Sequence, residues 1–132
     1  MQISLSQVLA MGHRLRLHEG KCRNYHGHNY TITVTVYGEP AHETGMIMDF
    51  ADLKAVIRAV LLPYDHAMVL EDNDAMLALL REGSFKYVIT EFPPTAENLA
   101  RHWKARITDH LSWQADLVVV RVEEMPDSGA TA

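Results

Sequence analysis

The sequence predicts a single two-layer α+β domain. Its 132 residues are enough for one domain with a hydrophobic core and too few for two ordinary domains. Segments with the two-residue period of strands alternate along the chain with segments whose apolar residues recur at helical spacing. No repeat or linker interrupts this order, so we treat residues 1–132 as one domain.

Composition and charge narrow the classes of function. Apolar residues make up 48% of the chain and charged residues 22%, which is typical of a soluble globular protein. No apolar run approaches the length of a membrane span or a signal sequence, so we expect a cytoplasmic protein with no membrane partner. The net charge of −5 argues against general nucleic-acid binding. A local basic cluster would suit an anionic small molecule, and its members are Arg14, Arg16, Lys21 and Arg23.

Two strands are predicted in the first part of the chain. Apolar residues alternate with small and polar ones between Ile3 and Leu15, with a break at Gln7 and Val8. A clearer alternation marks a second strand from about residue 29 to residue 37, in which the even-numbered side chains face the core.

The remaining elements follow from helical spacing and its stop signals. Asp49 is a good N-cap for a helix that Pro63 ends, and Thr95 caps a longer helix whose apolar stripe includes Trp103. Residues 127–132 are expected to form a flexible tail. The other predicted elements are a short helix over 74–81, a strand over 84–92 and a last strand over 116–124.

Three histidines lie on the predicted core faces of the first two strands. His26 and His28 continue the even-numbered face of the second strand backward, and His13 falls on the apolar face of the first. If the strands pair antiparallel, the three imidazoles converge from one side of the sheet. Three neutral imidazoles with a fourth position open form the ligand set of a catalytic zinc. The alternative is that they are unrelated surface or core histidines.

Two further features suggest acid–base chemistry. Cys22 is the only cysteine, so it cannot form an internal disulfide and is either a buried small hydrophobe or a reactive thiol. Asp65 directly precedes His66 just beyond the first helix and could orient its imidazole, as a proton shuttle requires. A solvated ion pair is the alternative.

The last strand ends in two glutamates that its alternation assigns to different faces. Glu124 shares the more apolar face with Val118, Val120 and Val122, whereas Glu123 lies on the other. A carboxylate on the apolar face needs hydrogen-bond donors, which a ligand with an amidine-like edge could supply. A frayed strand end in water is the alternative.

Several short motifs follow one another in an order that resembles a known family. They are His13-Arg14-Leu15, Cys22-x-x-x-His26-Gly27-His28-Asn29-Tyr30, Thr44-Gly45-Met46-Ile47-Met48-Asp49-Phe50, Leu53-Lys54, Asp65-His66, Pro94-Thr95-Ala96-Glu97-Asn98, and Val122-Glu123-Glu124 with Pro126 and Ser128. Together they resemble the 6-pyruvoyltetrahydropterin synthase superfamily over most of the chain. The three residues between Cys22 and His26, together with Asp49-Phe50, resemble its 6-carboxytetrahydropterin synthase branch.

The resemblance implies a fold and an assembly. The expected fold is the tunnelling fold, a four-stranded antiparallel sheet with two main helices packed on one face. Subunits would join into oligomeric barrels, with a hexamer as the expected homo-oligomer and the site between neighbours. Residues 82–92 are longer than in compact relatives and would add an edge strand or alter the subunit contact.

The resemblance also implies a reaction and roles for the candidate residues. The expected enzyme is a zinc-dependent lyase that converts 7,8-dihydroneopterin triphosphate to 6-carboxy-5,6,7,8-tetrahydropterin, with loss of acetaldehyde and triphosphate, in the 7-deazaguanine (queuosine) pathway. His13, His26 and His28 would hold zinc, and Cys22 would take a proton. The Asp65–His66 pair would relay protons. Glu124 would grip the amino-pyrimidine edge, and Thr95 and Glu97 would lie near the pterin.

Two other functions are alternatives to the 6-carboxytetrahydropterin synthase activity. A pyruvoyl-type synthase or another pterin aldol-cleaving enzyme would use the same metal centre. A zinc- or pterin-binding module without activity would have no use for Cys22, Asp65 and His66 beside the metal ligands.

Overall fold

A long antiparallel hairpin forms the centre of the sheet. In the computed structural model, which describes residues 1–111 and 115–132, β1 (Gln2–His13) pairs with β2 (His26–Tyr37) along the full length of both strands. The register runs from Gln2 opposite Tyr37 to His13 opposite His26. The predicted strands are therefore confirmed. Tyr30, Ile32 and Val34 are fully buried, because every second residue of β2 faces the core.

The sheet is larger than expected and is mixed. It has six strands within the described residues, in the order β4-β3-β1-β2-β5-β6, of which the edge strand β6 is Ser128–Thr131. The strands β3 (Ala67–Glu71) and β4 (Tyr87–Thr90) run parallel to β1, whereas β5 (Leu117–Met125) runs antiparallel to β2. The expectation of a four-stranded antiparallel sheet is thus wrong. β3 is a short apolar run buried on both faces, so it lacks the alternation that marks a strand in the sequence.

Two helices cover one face of the sheet, as expected. Asp49 caps α1 (Phe50–Leu61) by accepting a hydrogen bond from the Ala51 amide at 2.7 Å. Thr95 caps α3 (Ala96–Leu111) through the Asn98 amide at 3.3 Å. The fully buried Trp103 lies in the core between α3 and the sheet. No helix in the described ranges is long and apolar enough to cross a membrane.

A third helix packs on the opposite face of the sheet. α2 (Met76–Glu82) follows β3, and its Leu77 and Leu80 form a second buried cluster with Leu70 of β3. The predicted helix over 74–81 is confirmed with slightly shifted ends, and the predicted strand over 84–92 is present as the shorter edge strand β4. The connection between β3 and α3 therefore adds both an edge strand and a helix.

The C-terminal segment is ordered, which corrects the expectation of a flexible tail over 127–132. β6 (Ser128–Thr131) pairs antiparallel with β5, and Ala132 exchanges two backbone hydrogen bonds with Val120 at 2.9 and 3.0 Å. Small side chains give this strand no recognisable hydrophobic period. Its structure comes instead from pairing with a strand far more apolar than itself.

The close pairing of β6 leads to a stability prediction at Gly129. A Cβ atom there would lie 2.5 Å from the carbonyl oxygen of Val122 and 3.0 Å from Cα of Glu123. Gly129→Ala should lower the free energy of unfolding by about 1–3 kcal/mol, because backbone atoms must shift to admit the methyl group. Ser128→Ala is the matched control, since Ser128 is exposed and its hydroxyl donates to the neighbouring Asp127. Equal stability of the two variants in urea would show that the segment does not pair with β5.

Candidate metal centre and active site

Three imidazoles converge at one end of the central hairpin. His13 is the last residue of β1 and lies opposite His26, the first residue of β2, while His28 follows on the same face. Their ring centroids are 4.6 to 5.3 Å apart, and one nitrogen from each ring lies within 4.8 Å of the other two. Nitrogens around a tetrahedral zinc are about 3.4 Å apart, given Zn–N distances of about 2.0–2.1 Å. Small side-chain rotations would bring the three to that spacing.

The surroundings of the rings suit metal binding. His13 Nδ1 donates to the carbonyl oxygen of the buried Pro94 at 2.8 Å, and His26 Nδ1 donates to that of Asn24 at 2.7 Å. Such contacts put the proton on Nδ1, leave the Nε2 lone pair of both rings able to bind a metal, and fix the ring orientation. Burial lowers the pKa of His13, although its contact with Pro94 and the charge of Glu124 oppose the shift. The ring is therefore neutral at pH 7, as a ligand must be.

A carboxylate and a phenol lie beside the three histidines. Glu124 Oε1 is 3.9 Å from His13 Nε2, and the Tyr30 hydroxyl lies 3.0 Å from the same nitrogen and 3.3 Å from Oε1. Burial raises the pKa of Tyr30 above its usual value, and the charges of Glu124 and Cys22 raise it further. The phenol therefore keeps its proton and can donate it to either neighbour. Glu123 points elsewhere and pairs with Arg121 at 3.1 Å.

Cys22 is carried by the loop that joins β1 to β2. It is half-buried within a short 3-10 turn, Lys21–Arg23, and its carbonyl oxygen accepts from the Leu15 amide at 2.8 Å. The loop joins the strand ends that carry His13 and His26, so Cys22 lies at the same end of the hairpin as the histidines. A thiol there is available to a molecule bound at the histidines.

A cavity of about 350 Å³ adjoins Glu124. Thr95 and Glu97 at the start of α3 line it together with Leu15, Ser128 and Gly129. The sequence-predicted binding residues Thr95, Glu97 and Glu124 are therefore brought together. The ordered β6 forms one wall of this cavity, which a flexible tail would not have supplied.

Asp65 and His66 form a pair in the turn before β3. His66 Nδ1 donates to Asp65 Oδ2 at 2.9 Å, and this contact lowers the pKa of Asp65. His66 opens into a cavity of about 640 Å³ whose lining includes Ala10, Gly12 and Met68 and also His28 of the histidine centre. Gly12 lies on the face of β1 opposite His13, because side chains alternate along the strand. Since the His66 amide donates to the Ala10 carbonyl oxygen, His66 lies beside Ala10, whose side chain shares the face of Gly12, whereas His13 shares the opposite face with Met11.

The basic cluster is only partly available to a ligand. Arg14 pairs with Asp74 at 2.5 Å, and Arg16 Nε lies 4.0 Å from Glu71. Lys21 and Arg23 are exposed on the Cys22 loop. An anion at this end of the sheet would meet these two cations.

Comparison with known proteins identifies the family. The model of the 6-pyruvoyl tetrahydropterin synthase family matches residues 2–132, which is almost the whole chain. The chain belongs to this family. The resemblance drawn from the sequence motifs is thereby confirmed, as is the expectation that the chain is an enzyme, a lyase.

Curated relatives in the 6-pyruvoyl tetrahydropterin synthase family carry a more specific name. The chain is 37% identical over 120 residues to a probable 6-carboxy-5,6,7,8-tetrahydropterin synthase from Halobacterium salinarum, covering 89% of this chain and 77% of the relative. It is 33% identical over 135 residues to the 6-carboxy-5,6,7,8-tetrahydropterin synthase of Haemophilus influenzae, covering 96% and 94%.

Solved structures of the family share the fold. The 6-pyruvoyl tetrahydropterin synthase of Caenorhabditis elegans aligns with a TM-score of 0.76 at 27% identity, covering 100% of this chain and 94% of that one. A 6-pyruvoyltetrahydropterin synthase of Plasmodium vivax aligns with a TM-score of 0.80 at 16% identity, covering 100% and 96%. The second likeness concerns the fold alone.

Sequence reasoning did not single out Tyr30 as part of the site. It lies two residues after His28 on the same face of β2, so the alternation that selected the histidines could have selected it too. The contacts of Pro94 and Asn24 with the histidines could not be predicted from the sequence, because both residues contribute backbone carbonyl oxygens, which any residue type could supply.

Metal binding by the histidine centre can be tested by substitution. If His13, His26 and His28 hold one ion together, alanine at any of the three should sharply lower the metal content of purified protein, because two imidazoles bind far more weakly than three. His42→Ala is the control, since His42 lies in the connection after β2, outside this group. Full metal occupancy in all three variants would contradict the assignment.

Proposed function

We propose that this enzyme converts 7,8-dihydroneopterin triphosphate to 6-carboxy-5,6,7,8-tetrahydropterin, releasing acetaldehyde and triphosphate, in 7-deazaguanine (queuosine) biosynthesis. The main support is the convergence of three imidazoles beside Glu124 on one face of the sheet. The names of the curated relatives favour this reaction over the pyruvoyl-type alternative. The exposed Lys21 and Arg23 suit the triphosphate of the substrate.

The proposed metal is zinc, held by His13, His26 and His28. Three neutral nitrogen ligands with an open fourth position match the ligand set of catalytic zinc sites. When bound, zinc would supply Lewis-acid polarisation of the hydroxyl groups on the substrate side chain, which acidifies the adjoining C–H bonds.

The other site residues then have separate tasks. Glu124 accepts hydrogen bonds from the ring N–H and the exocyclic amine of the pterin, with Thr95 and Glu97 lining the same cavity. Tyr30 donates to Glu124 and so restrains its orientation. Cys22 removes the acidified proton as the general base, and His66 returns protons with its ring held by Asp65.

This division of tasks requires a second copy of the chain. Because the neighbours of His66 in the sheet, Ala10 and Gly12, face away from His13, we infer that the pair serving a given metal centre comes from a neighbouring subunit. β1 offers a place for assembly, since β3 covers only Met11–His13 of its outer edge among the described residues. Val8 and Leu62 beside that edge are 59% and 68% exposed. We infer a homo-oligomer, with the hexamer as its expected form.

The reaction itself can be tested by identifying the product. Zinc-loaded protein incubated with 7,8-dihydroneopterin triphosphate should give a pterin with the mass of 6-carboxytetrahydropterin, together with acetaldehyde. Glu124→Gln should impair turnover, because an amide cannot accept from two pterin donors. Glu123→Gln is the matched control and should not, since Glu123 pairs with Arg121 on the other face. A pyruvoyl product without acetaldehyde would favour the alternative synthase, and the absence of any product would favour a binding module.

The role of the neighbouring subunit can be tested by mixing inactive variants. Cys22→Ala and His66→Ala should each be inactive alone. Co-refolded in equal amounts, they should recover about a quarter of parental activity, because random assembly joins an intact Cys22 to an intact His66 at that frequency. Cys22→Ala mixed with Glu124→Gln should recover none, since both residues belong to the same chain's site. Recovery in neither mixture would contradict a shared site.

A further inference from the structure

A buried carboxylate outside the candidate site holds both ends of the loop that carries Cys22. Asp74 lies in the connection between β3 and α2 and is only 5% exposed. Oδ2 accepts from Arg14 Nε at 2.5 Å, while Oδ1 accepts from the Tyr25 hydroxyl at 2.7 Å and from the Met76 amide at 2.9 Å. One side chain thus gathers donors from three separate segments.

The two side chains that Asp74 binds have special positions. Arg14 directly follows His13 at the end of β1, and Tyr25 directly precedes His26 at the start of β2. Residues 14 and 25 are therefore the first and last residues of the Cys22 loop. They also contact each other, because the Arg14 guanidinium carbon lies 4.6 Å above the centre of the Tyr25 ring. The loop is closed at its base by these three side chains.

The Asp74 carboxylate is ionised, and the helix that follows it is fixed by packing. Burial alone would raise the pKa of Asp74, but the hydrogen bonds from Tyr25, Met76 and Arg14 outweigh it and the pKa is lowered. The carboxylate is therefore charged at pH 7, and charge-assisted hydrogen bonds are the stronger kind. α2 fixes its position, since Leu77 and Leu80 pack against Leu70 on the face of the sheet opposite the metal centre.

We propose that Asp74 is a positioning residue that sets where Cys22 lies relative to the three-histidine centre. By fixing Arg14 and Tyr25, it restricts the loop to one conformation in which the thiol can reach a bound substrate. This gives a task to the part of the connection between β3 and α3 that precedes α2. The inference rests on the proposed role of Cys22 as the general base.

The test is Asp74→Asn in the zinc-loaded protein, with kcat, KM, zinc content and the rate of Cys22 alkylation by iodoacetamide measured together. The amide still accepts from Tyr25 and Met76, but its NH₂ group faces the Arg14 donor. We expect kcat to fall about 10- to 100-fold with little change in KM, because a loosened base is misplaced while substrate anchoring is kept. Alkylation should become about threefold faster or more as the loop opens. Zinc content should match that of the parent.

Two further variants keep the test decisive. Asp72→Asn is the matched control, since Asp72 is an exposed aspartate of the same connection, and it should leave both rates at parental values. Tyr25→Phe removes one hydrogen bond and keeps the ring beneath Arg14, so it should give smaller changes in the same direction. If Asp74→Asn does not fold, Tyr25→Phe decides.

The outcomes separate this inference from the proposed function. If folded, zinc-loaded Asp74→Asn keeps the parental alkylation rate and the parental kcat, the proposal that Asp74 positions Cys22 is wrong. An unchanged alkylation rate in Tyr25→Phe would also contradict it. If the parent itself does not convert 7,8-dihydroneopterin triphosphate, the proposed function fails instead. The contrast in alkylation between Asp74→Asn and Asp72→Asn would still decide whether Asp74 holds the loop.

Discussion

The register of the β1–β2 hairpin is the constraint on which the rest of the structure depends. It sets His13 opposite His26, and the alternation of side chains puts His28, Tyr30 and the core residues of β2 on the same face. A slip of one residue would turn a whole strand over, exposing its apolar side chains and dispersing the imidazoles. Core packing therefore stabilises the register in which the three histidines converge, because this register buries Ile32 and Val34 beneath α1 and α3. The same pairing propagates to β5, where Ile32 lies opposite Val122 and Glu124 reaches the histidines.

The candidate site residues are divided between the two faces of the sheet. The helix-covered face ends in the histidine centre, Tyr30 and Glu124, whereas His66 opens onto the other face beside Gly12. The parallel strand β3 produces this division, because it places the Asp65–His66 turn against the outer edge of β1, where Asp65 accepts from the Ala10 amide at 3.3 Å. Lys86, just before β4, donates to the carbonyl oxygens of Leu62 and Asp65 at 3.0 and 2.6 Å and supports the same turn. The segment between β3 and α3 thus contacts both the loop that carries Cys22, through Asp74, and the Asp65–His66 turn, through Lys86.

The sequence predicted the parts of the molecule whose signal is local. Alternation revealed β1, β2 and the two faces of β5, and caps with stop residues revealed α1 and α3. β3 was missed because a strand buried on both faces has no period, and β6 because small residues give none. The position of Asp65–His66 relative to the metal centre depends on strand order, which local pattern does not encode. Asp74 shows the same limit, since its partners Arg14 and Tyr25 are remote in sequence.

The central claim is that this hairpin register builds a metal centre from three imidazoles and leaves Cys22 outside it. X-ray absorption at the zinc edge of the loaded protein tests this most directly, because Zn–N and Zn–S distances are well separated. The structure predicts three nitrogen scatterers at about 2.0–2.1 Å and a remaining ligand of nitrogen or oxygen. A sulfur scatterer at about 2.3 Å would contradict it, since Cys22 would then be a ligand rather than a base.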